Sequence, residues 1–130
     1  MYKLQLSKYY REELKSAVNY IKQDLQNPIA ANNLKEEAKK TYKKIKENPY
    51  MYPAVPDEYL ASKGFRFVMV KNYMLFYTVI EKEVIVLRFL YGYRDWMNLL
   101  DNENWNIFLY EYKIVNSKKM VYGWNHYNLG

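Results

Sequence analysis

Four arginines stand out against sixteen lysines in this sequence of 130 residues. Three of them, Arg66, Arg88 and Arg94, fall in one stretch with strand character. The planar guanidinium group of arginine binds a phosphate or a carboxylate through two hydrogen bonds, which the point charge of lysine cannot do. Because lysine, asparagine and tyrosine share A/T-rich codons, genome bias accounts for their excess and makes each arginine more informative. These three arginines predict a working surface that binds an anionic group.

Several common kinds of reaction centre are excluded by composition. The sequence has no cysteine and a single histidine, His126. It therefore has no thiolate nucleophile, no disulfide framework and no cysteine metal site. A histidine metal site or a serine–histidine–aspartate triad is not expected either. We expect no metal and no cofactor.

The charge and the hydropathy pattern define the broad class of protein. A formal net charge of +6 and a pI near 9.3 favour an anionic partner such as nucleic acid, the ribosome or an acidic protein. A basic surface can also serve solubility alone. No apolar stretch is long enough to cross a membrane, and the N-terminus lacks the apolar segment of a secretory signal. We expect a cytoplasmic protein with no membrane partner.

Apolar spacing in the first half of the chain changes from strand to helix. Residues 2–6 alternate apolar and polar side chains, as in a half-buried strand. Ser7 can cap a helix over about 8–26 that carries an apolar stripe. A second helix is expected from Pro28, which suits the first helical position, to near Asn48. The short link predicts an antiparallel helical hairpin.

The second half of the chain has the pattern of a β-meander. A loop with three prolines over 49–56 comes first and cannot be regular structure. Three strand-like runs follow, separated by the two-residue links Lys71-Asn72 and Glu81-Lys82. The runs cover residues 65–70, 73–80 and 83–91. With the first strand added at an edge, we expect an α+β fold in which the helical hairpin packs on a four-stranded, mostly antiparallel sheet.

The motifs GFR at 64–66, NYMLFY at 72–77 and LRFLYGYRD at 87–95 resemble the RelE/ParE superfamily of type II toxin–antitoxin toxins. NPIAA at 27–31 is similar to the start of the second helix in that family. The resemblance covers residues 1 to about 100 and rests on all these motifs in order. It implies a growth-inhibiting toxin that a cognate antitoxin neutralises, and associates the protein with plasmid stabilization.

The superfamily has two branches with different targets. RelE-like toxins cut mRNA on the ribosome with the RNA 2′-hydroxyl as nucleophile, whereas ParE-like toxins interfere with DNA gyrase. The resemblance to RelE-like nucleases implies catalytic roles for Arg66, Arg88 and an aromatic residue, Tyr91 or Tyr93. However, only Lys63 precedes the second strand, and no histidine lies near Tyr91. The LYGYRD ending is more similar to ParE-like toxins, so gyrase inhibition is slightly favoured over ribosome-dependent mRNA cleavage.

Each candidate residue also has a structural interpretation. The residues expected to contact the target or a phosphate are Arg66, Lys63, Lys71, Arg94 and Tyr77. Arg88 can equally pair with Glu83, Asp95 or another carboxylate of the sheet, and Arg94 with Asp95 is typical of a local structural pair. Tyr77 is of a type that more often packs in a core. Arg66 points away from Phe65 and Phe67, so it is displayed on an open face or paired beneath the helices.

Residues 101–130 form a C-terminal extension beyond the resemblance. Trp105, Phe108, Leu109 and Tyr112 have helical spacing after Asp101. The extension can pack on the body as a lid or fold only against a partner. We expect a body without residues 103–130 to remain folded. A non-toxic basic nucleic-acid-binding module and an inactive toxin relative are the remaining functional alternatives.

Overall fold

The computed structural model describes residues 2–56 and 58–92. The predictions for Tyr93, Arg94 and Asp95, and those for residues 101–130, lie outside the described residues. The strands are β1 (Lys3–Leu6), β2 (Arg66–Val70), β3 (Tyr73–Ile80) and β4 (Glu83–Tyr91), and the α-helices are α1 (Lys8–Asn19), α2 (Pro28–Glu47) and α3 (Glu58–Ser62).

The helical hairpin forms where the capping residues predict it. The Ser7 side chain accepts a hydrogen bond from the Tyr10 N–H, and the Asn27 side chain accepts one from the Ala30 N–H. The expected first helix over 8–26 is α-helical only to Asn19. It continues as a π-helical turn over Tyr20–Asp24, a change in hydrogen bonding that apolar spacing cannot reveal.

The four strands form one sheet in the order β1-β4-β3-β2. The meander β2-β3-β4 is antiparallel, and β1 pairs in parallel with β4 at the edge, with Lys3 opposite Glu83. The links between strands are the expected two-residue turns, in which Lys71 and Glu81 have positive φ of 55° and 57°. The predicted architecture, a helical hairpin on a mostly antiparallel four-stranded sheet, is confirmed.

Both faces of the sheet are covered. The hairpin packs on one face through a buried cluster that includes Tyr10, Leu34 and Tyr77. The other face carries a second cluster, in which Val55 and Leu60 come from the segment between α2 and β2. Within this segment lies α3, which sequence analysis does not predict because five residues are too few for a helical period. No helix in the described parts of the chain is long and apolar enough to span a membrane.

Strand β4 carries a bulge next to Arg88. Phe76 lies opposite Arg88 and Tyr77 lies opposite Val86, so Leu87 is an extra residue between them. A bulge bends its strand and redirects the neighbouring side chains. It lies just beyond Leu6, the last residue of β1 that pairs with β4.

Candidate functional site

Arg88 is held by a carboxylate from the first helix. Its Nε lies 2.9 Å and 2.8 Å from the two carboxylate oxygens of Glu13, and its Nη2 donates to the same group. The two side chains are 15% and 22% exposed, and the guanidinium group lies 5.7 Å from the ring centre of Tyr9. The expected pairing of Arg88 with a carboxylate is thus present. The ion pair is made with Glu13 of α1 rather than with Glu83 of its own strand.

The position of this ion pair follows from how β1 ends. The Ser7 N–H donates to the Val86 carbonyl, and the Ser7 hydroxyl donates to the Leu87 carbonyl at 2.7 Å. The chain then enters α1. Beyond Val86, this edge of β4 is therefore contacted by side chains of α1 and no longer pairs with β1. Glu13 also accepts a hydrogen bond from the Phe89 N–H at 2.9 Å. The Glu13 carboxylate therefore supplies the hydrogen-bond acceptor that this sheet edge lacks after β1 ends. The only clue to this role in the sequence is that Glu13 comes three residues after the buried Tyr10.

Arg66 anchors the proline-rich loop. Its Nη1 donates to the Tyr52 carbonyl at 2.5 Å, and its guanidinium group lies 5.1 Å from the ring centre of Tyr50. Arg66 alternates with Val68 and Val70, which belong to the cluster under the helical hairpin. Of the two orientations considered from the sequence, the half-buried Arg66 therefore lies on the helix-covered face and is paired there.

Tyr77 lies in the core instead of on a binding surface. It is fully buried, and its hydroxyl donates to the Pro49 carbonyl at 2.5 Å. Burial raises the pKa of Tyr77 to about 12, although the nearby positive charge of Arg66 acts in the opposite direction. The prediction that Tyr77 contacts a target is wrong for this structure, because its ring is enclosed and its hydroxyl is already bonded.

The remaining candidate residues, Lys71, Tyr91 and Lys63, lie at two opposite ends of the sheet. Lys71 is in the β2–β3 turn, and Tyr91 is 40% exposed at the end of β4. The Gly92 N–H donates to the Asn72 carbonyl at 2.8 Å, which brings these two segments together. Lys63 precedes β2 at the opposite end, where its amino group lies 5.1 Å from the ring centre of Tyr59.

The two described strand arginines do not converge on one point. Arg66 is on β2 and Arg88 on β4, with β3 between them, so about 10 Å of sheet separates the strands. Arg66 reaches the loop beside the β2 edge, whereas Arg88 reaches α1 near the β1 edge. The structure thus does not bring Arg66, Arg88 and Tyr91 together around one phosphate. Within residues 2–56 and 58–92, no cluster of acidic, histidine or cysteine side chains could hold a metal ion.

The helical hairpin on a four-stranded sheet matches the fold of a ParE-like toxin structure. The family model described as the ParE toxin of the type II toxin–antitoxin system parDE matches residues 4–96, more than half of the chain. The chain belongs to the ParE toxin family and is a type II toxin by descent, for which the family implies an antitoxin partner.

Two solved structures are similar to this chain at low sequence identity. A chain from the chromosomal ParDE toxin–antitoxin system of P. aeruginosa is 17% identical, with a TM-score of 0.59 over 70% of this chain and 96% of that chain. A copper-bound mutant toxin from Helicobacter pylori is 22% identical, with a TM-score of 0.46 over 70% of this chain and 94% of that one. A search of curated proteins finds no significant match.

Proposed function

We propose that this toxin inhibits bacterial growth by acting on DNA gyrase and that it does not cut mRNA. The observation that carries the proposal is that Arg66 binds the protein's own proline-rich loop, whereas Arg88 binds Glu13 of its own helix α1. Cleavage by a 2′-hydroxyl needs a proton acceptor, cations at the phosphate and an acid for the leaving oxygen in one place. Arg66 and Arg88 are directed apart, which supports the non-nuclease branch.

The target surface that we propose is the end of the sheet with Lys71 and Tyr91. Both side chains are exposed, and Arg94 follows two residues after Gly92 in the sequence. A cationic and aromatic surface suits an acidic protein partner. Lys63 at the opposite end of the sheet is then outside the primary contact.

A cognate antitoxin holds the toxin inactive in this proposal. The net charge of +6 favours a small acidic protein whose carboxylates neutralise the toxin surface. In this proposal the toxin encounters both gyrase and the antitoxin in the cytoplasm, in keeping with a role in plasmid stabilization.

The test is induction of the full chain in bacteria, alone or with the neighbouring open reading frame. We expect growth arrest relieved by the second gene, inhibition of supercoiling by purified gyrase, and no new cuts in translated mRNA. Lys71→Glu combined with Arg94→Glu should weaken gyrase inhibition at least tenfold, whereas Lys40→Glu, an exposed helix lysine, should not.

Other results would favour the alternatives. Ribosome-dependent mRNA cuts that disappear in Arg66→Ala would assign the RelE-like activity instead. Normal growth with folded protein would indicate an inactive relative or a nucleic-acid-binding module. Binding to bare nucleic acid that falls steeply with salt would then identify the latter.

A further inference from the structure

A cleft of about 360 Å³ opens between the two helices of the hairpin. Its apolar lining comes from Leu6, Tyr10, Leu14, Val18 and Tyr42. Leu6 and Tyr10 are fully buried, whereas Leu14, Val18 and Tyr42 are half-buried. The cleft thus presents apolar surface that an additional apolar segment could cover.

Cations surround this apolar lining. The charged side chains that line the cleft are Arg11, Lys15, Lys35 and Lys39. No carboxylate is among the described residues that line it. Glu36, next to Lys35, is near enough to Tyr42 that its charge adds to burial in raising the pKa of this tyrosine. Like charges gathered around apolar walls favour an occupant that is both apolar and anionic.

One of the residues that line the cleft, Tyr10, also carries a polar group in need of a partner. Tyr10 is 1% exposed, and its hydroxyl has no hydrogen-bond partner in the described part of the chain. A buried hydroxyl without a partner is destabilising and uncommon in folded proteins. An occupant that brings a carbonyl or carboxylate oxygen next to this hydroxyl would accept its hydrogen bond.

We propose that residues 101–112 of the same chain occupy this cleft. The segment DNENWNIFLYEY combines three carboxylates with six large apolar or aromatic side chains and has no lysine or arginine. Its charge of −3 is thus opposite to that of the cationic rim, and its aromatic content matches the apolar lining. The rest of the chain is basic overall, which makes this acidic stretch distinctive.

The length of the chain allows this contact. The nine residues from Gly92 to Asp101 span at most about 30 Å when extended. They start close to the cleft, because the ring of the cleft residue Tyr10 lies 5.8 Å from that of Phe89, three residues before Gly92. A tethered segment has a millimolar effective concentration, so a weak interaction is enough for occupancy. The inference concerns only this contact within the chain and does not depend on gyrase being the target.

Spin labels on the full chain test the proposal directly, because the protein has no cysteine of its own. One label is placed at the cleft through Asn19→Cys and the other in the segment through Asn106→Cys. We expect a narrow distance distribution within about 20 Å, since packed helices have axes only 8–10 Å apart. The control pair, Ser62→Cys with Asn106→Cys, should give a longer distance because α3 covers the opposite face of the sheet.

Charge reversal provides a second test without labels. In the unlabelled chain, amides in 101–112 should exchange hydrogen at least about tenfold more slowly than in an unstructured peptide. Lys35→Glu combined with Lys39→Glu should remove this protection, and adding Glu103→Lys and Glu111→Lys should restore it. Lys43→Glu combined with Lys46→Glu, exposed and outside the cleft lining, is the matched control and should leave it unchanged.

Three results would overturn the proposal. The first is a broad, long distance from Asn19→Cys with fast exchange in 101–112. The second is a short distance that vanishes on dilution with unlabelled protein, which would assign the cleft to a second copy. The third is protection that survives reversal of Lys35 and Lys39, which would place the segment elsewhere.

Discussion

The carboxylate of Glu13 in α1 binds both the guanidinium group of Arg88 and the backbone N–H of Phe89 in β4. One helix side chain thus satisfies a charge and a backbone donor at the sheet edge where β1 ends. Charged hydrogen bonds of this kind are shorter and stronger than neutral ones. The pair explains why an arginine is tolerated between Leu87 and Phe89, both buried.

Glu13→Ala should lower the free energy of unfolding by about 2–4 kcal/mol, because it leaves the Arg88 charge and the Phe89 N–H without this acceptor. Urea unfolding followed by circular dichroism measures the change. Glu12→Ala, at the exposed neighbouring position, is the control and should change stability by less than about 0.5 kcal/mol. Equal losses in the two variants would contradict the structural role of Glu13.

Ser7→Ala should cost about 2 kcal/mol. The Ser7 hydroxyl accepts from the Tyr10 N–H at 3.0 Å and donates to the Leu87 carbonyl, so its loss removes a helix cap and a contact with β4 together. Thermal unfolding gives the size of the effect. Ser16→Ala on the exposed side of α1 should be nearly neutral, and a comparable loss there would contradict this explanation.

Stability should fall as the pH rises from about 10 to about 12. Burial raises the pKa of Tyr77 to about 12 and also raises the pKa of Tyr10 above its usual value, so the folded protein retains protons that the unfolded chain releases near pH 10. Each such tyrosine contributes up to about 1.4 kcal/mol of lost stability per pH unit within that window. Denaturant titrations at pH 9, 10 and 11 should show this slope reduced in Tyr77→Phe. An unchanged slope in that variant would show that Tyr77 ionises freely in the folded state.

Arg66→Ala should loosen the loop over 49–56 and leave the sheet folded. It removes the hydrogen bond to the Tyr52 carbonyl and the contact with the Tyr50 ring, with an expected loss of about 1–2 kcal/mol. Hydrogen exchange should increase at residues 50–55 and remain slow in β3. Lys63→Ala removes a cation nearby in sequence and serves as the control, because its exposed contact with Tyr59 contributes little. Unchanged exchange in the loop of Arg66→Ala would contradict the anchoring role.

The elements of the fold could be predicted because their signals are local. The Ser7 and Asn27 caps, the alternation in the strands and the two-residue turn at Lys71 each act within a few residues. The site was harder to predict because its contacts cross the sequence. Arg88 and Glu13 are 75 residues apart, and neither the bulge at Leu87 nor the end of β1 that brings them together leaves a periodic signal.

Tyr77 illustrates a different limit of prediction from the sequence. Its residue type favoured packing in a core, but a displayed ring that contacts a target stayed open, since an aromatic side chain with a polar tip suits both. Which of the two roles Tyr77 has depends on whether a carbonyl inside the protein accepts a hydrogen bond from its hydroxyl. That carbonyl belongs to Pro49 in the irregular loop, and the path of such a loop is not encoded in spacing.

The parallel pairing of β1 with β4 also affects how the protein is made. Residues 3–6 pair with residues 83–86, so the first strand synthesised waits for the last described strand before it has a partner. At about 5–20 residues per second, this delay lasts about 4–16 s during translation. The hairpin helices are complete for much of that time without the sheet that buries their apolar stripe. The toxin fold therefore closes only after β4 leaves the ribosome, which gives the cell an interval in which the nascent chain is not yet a toxin.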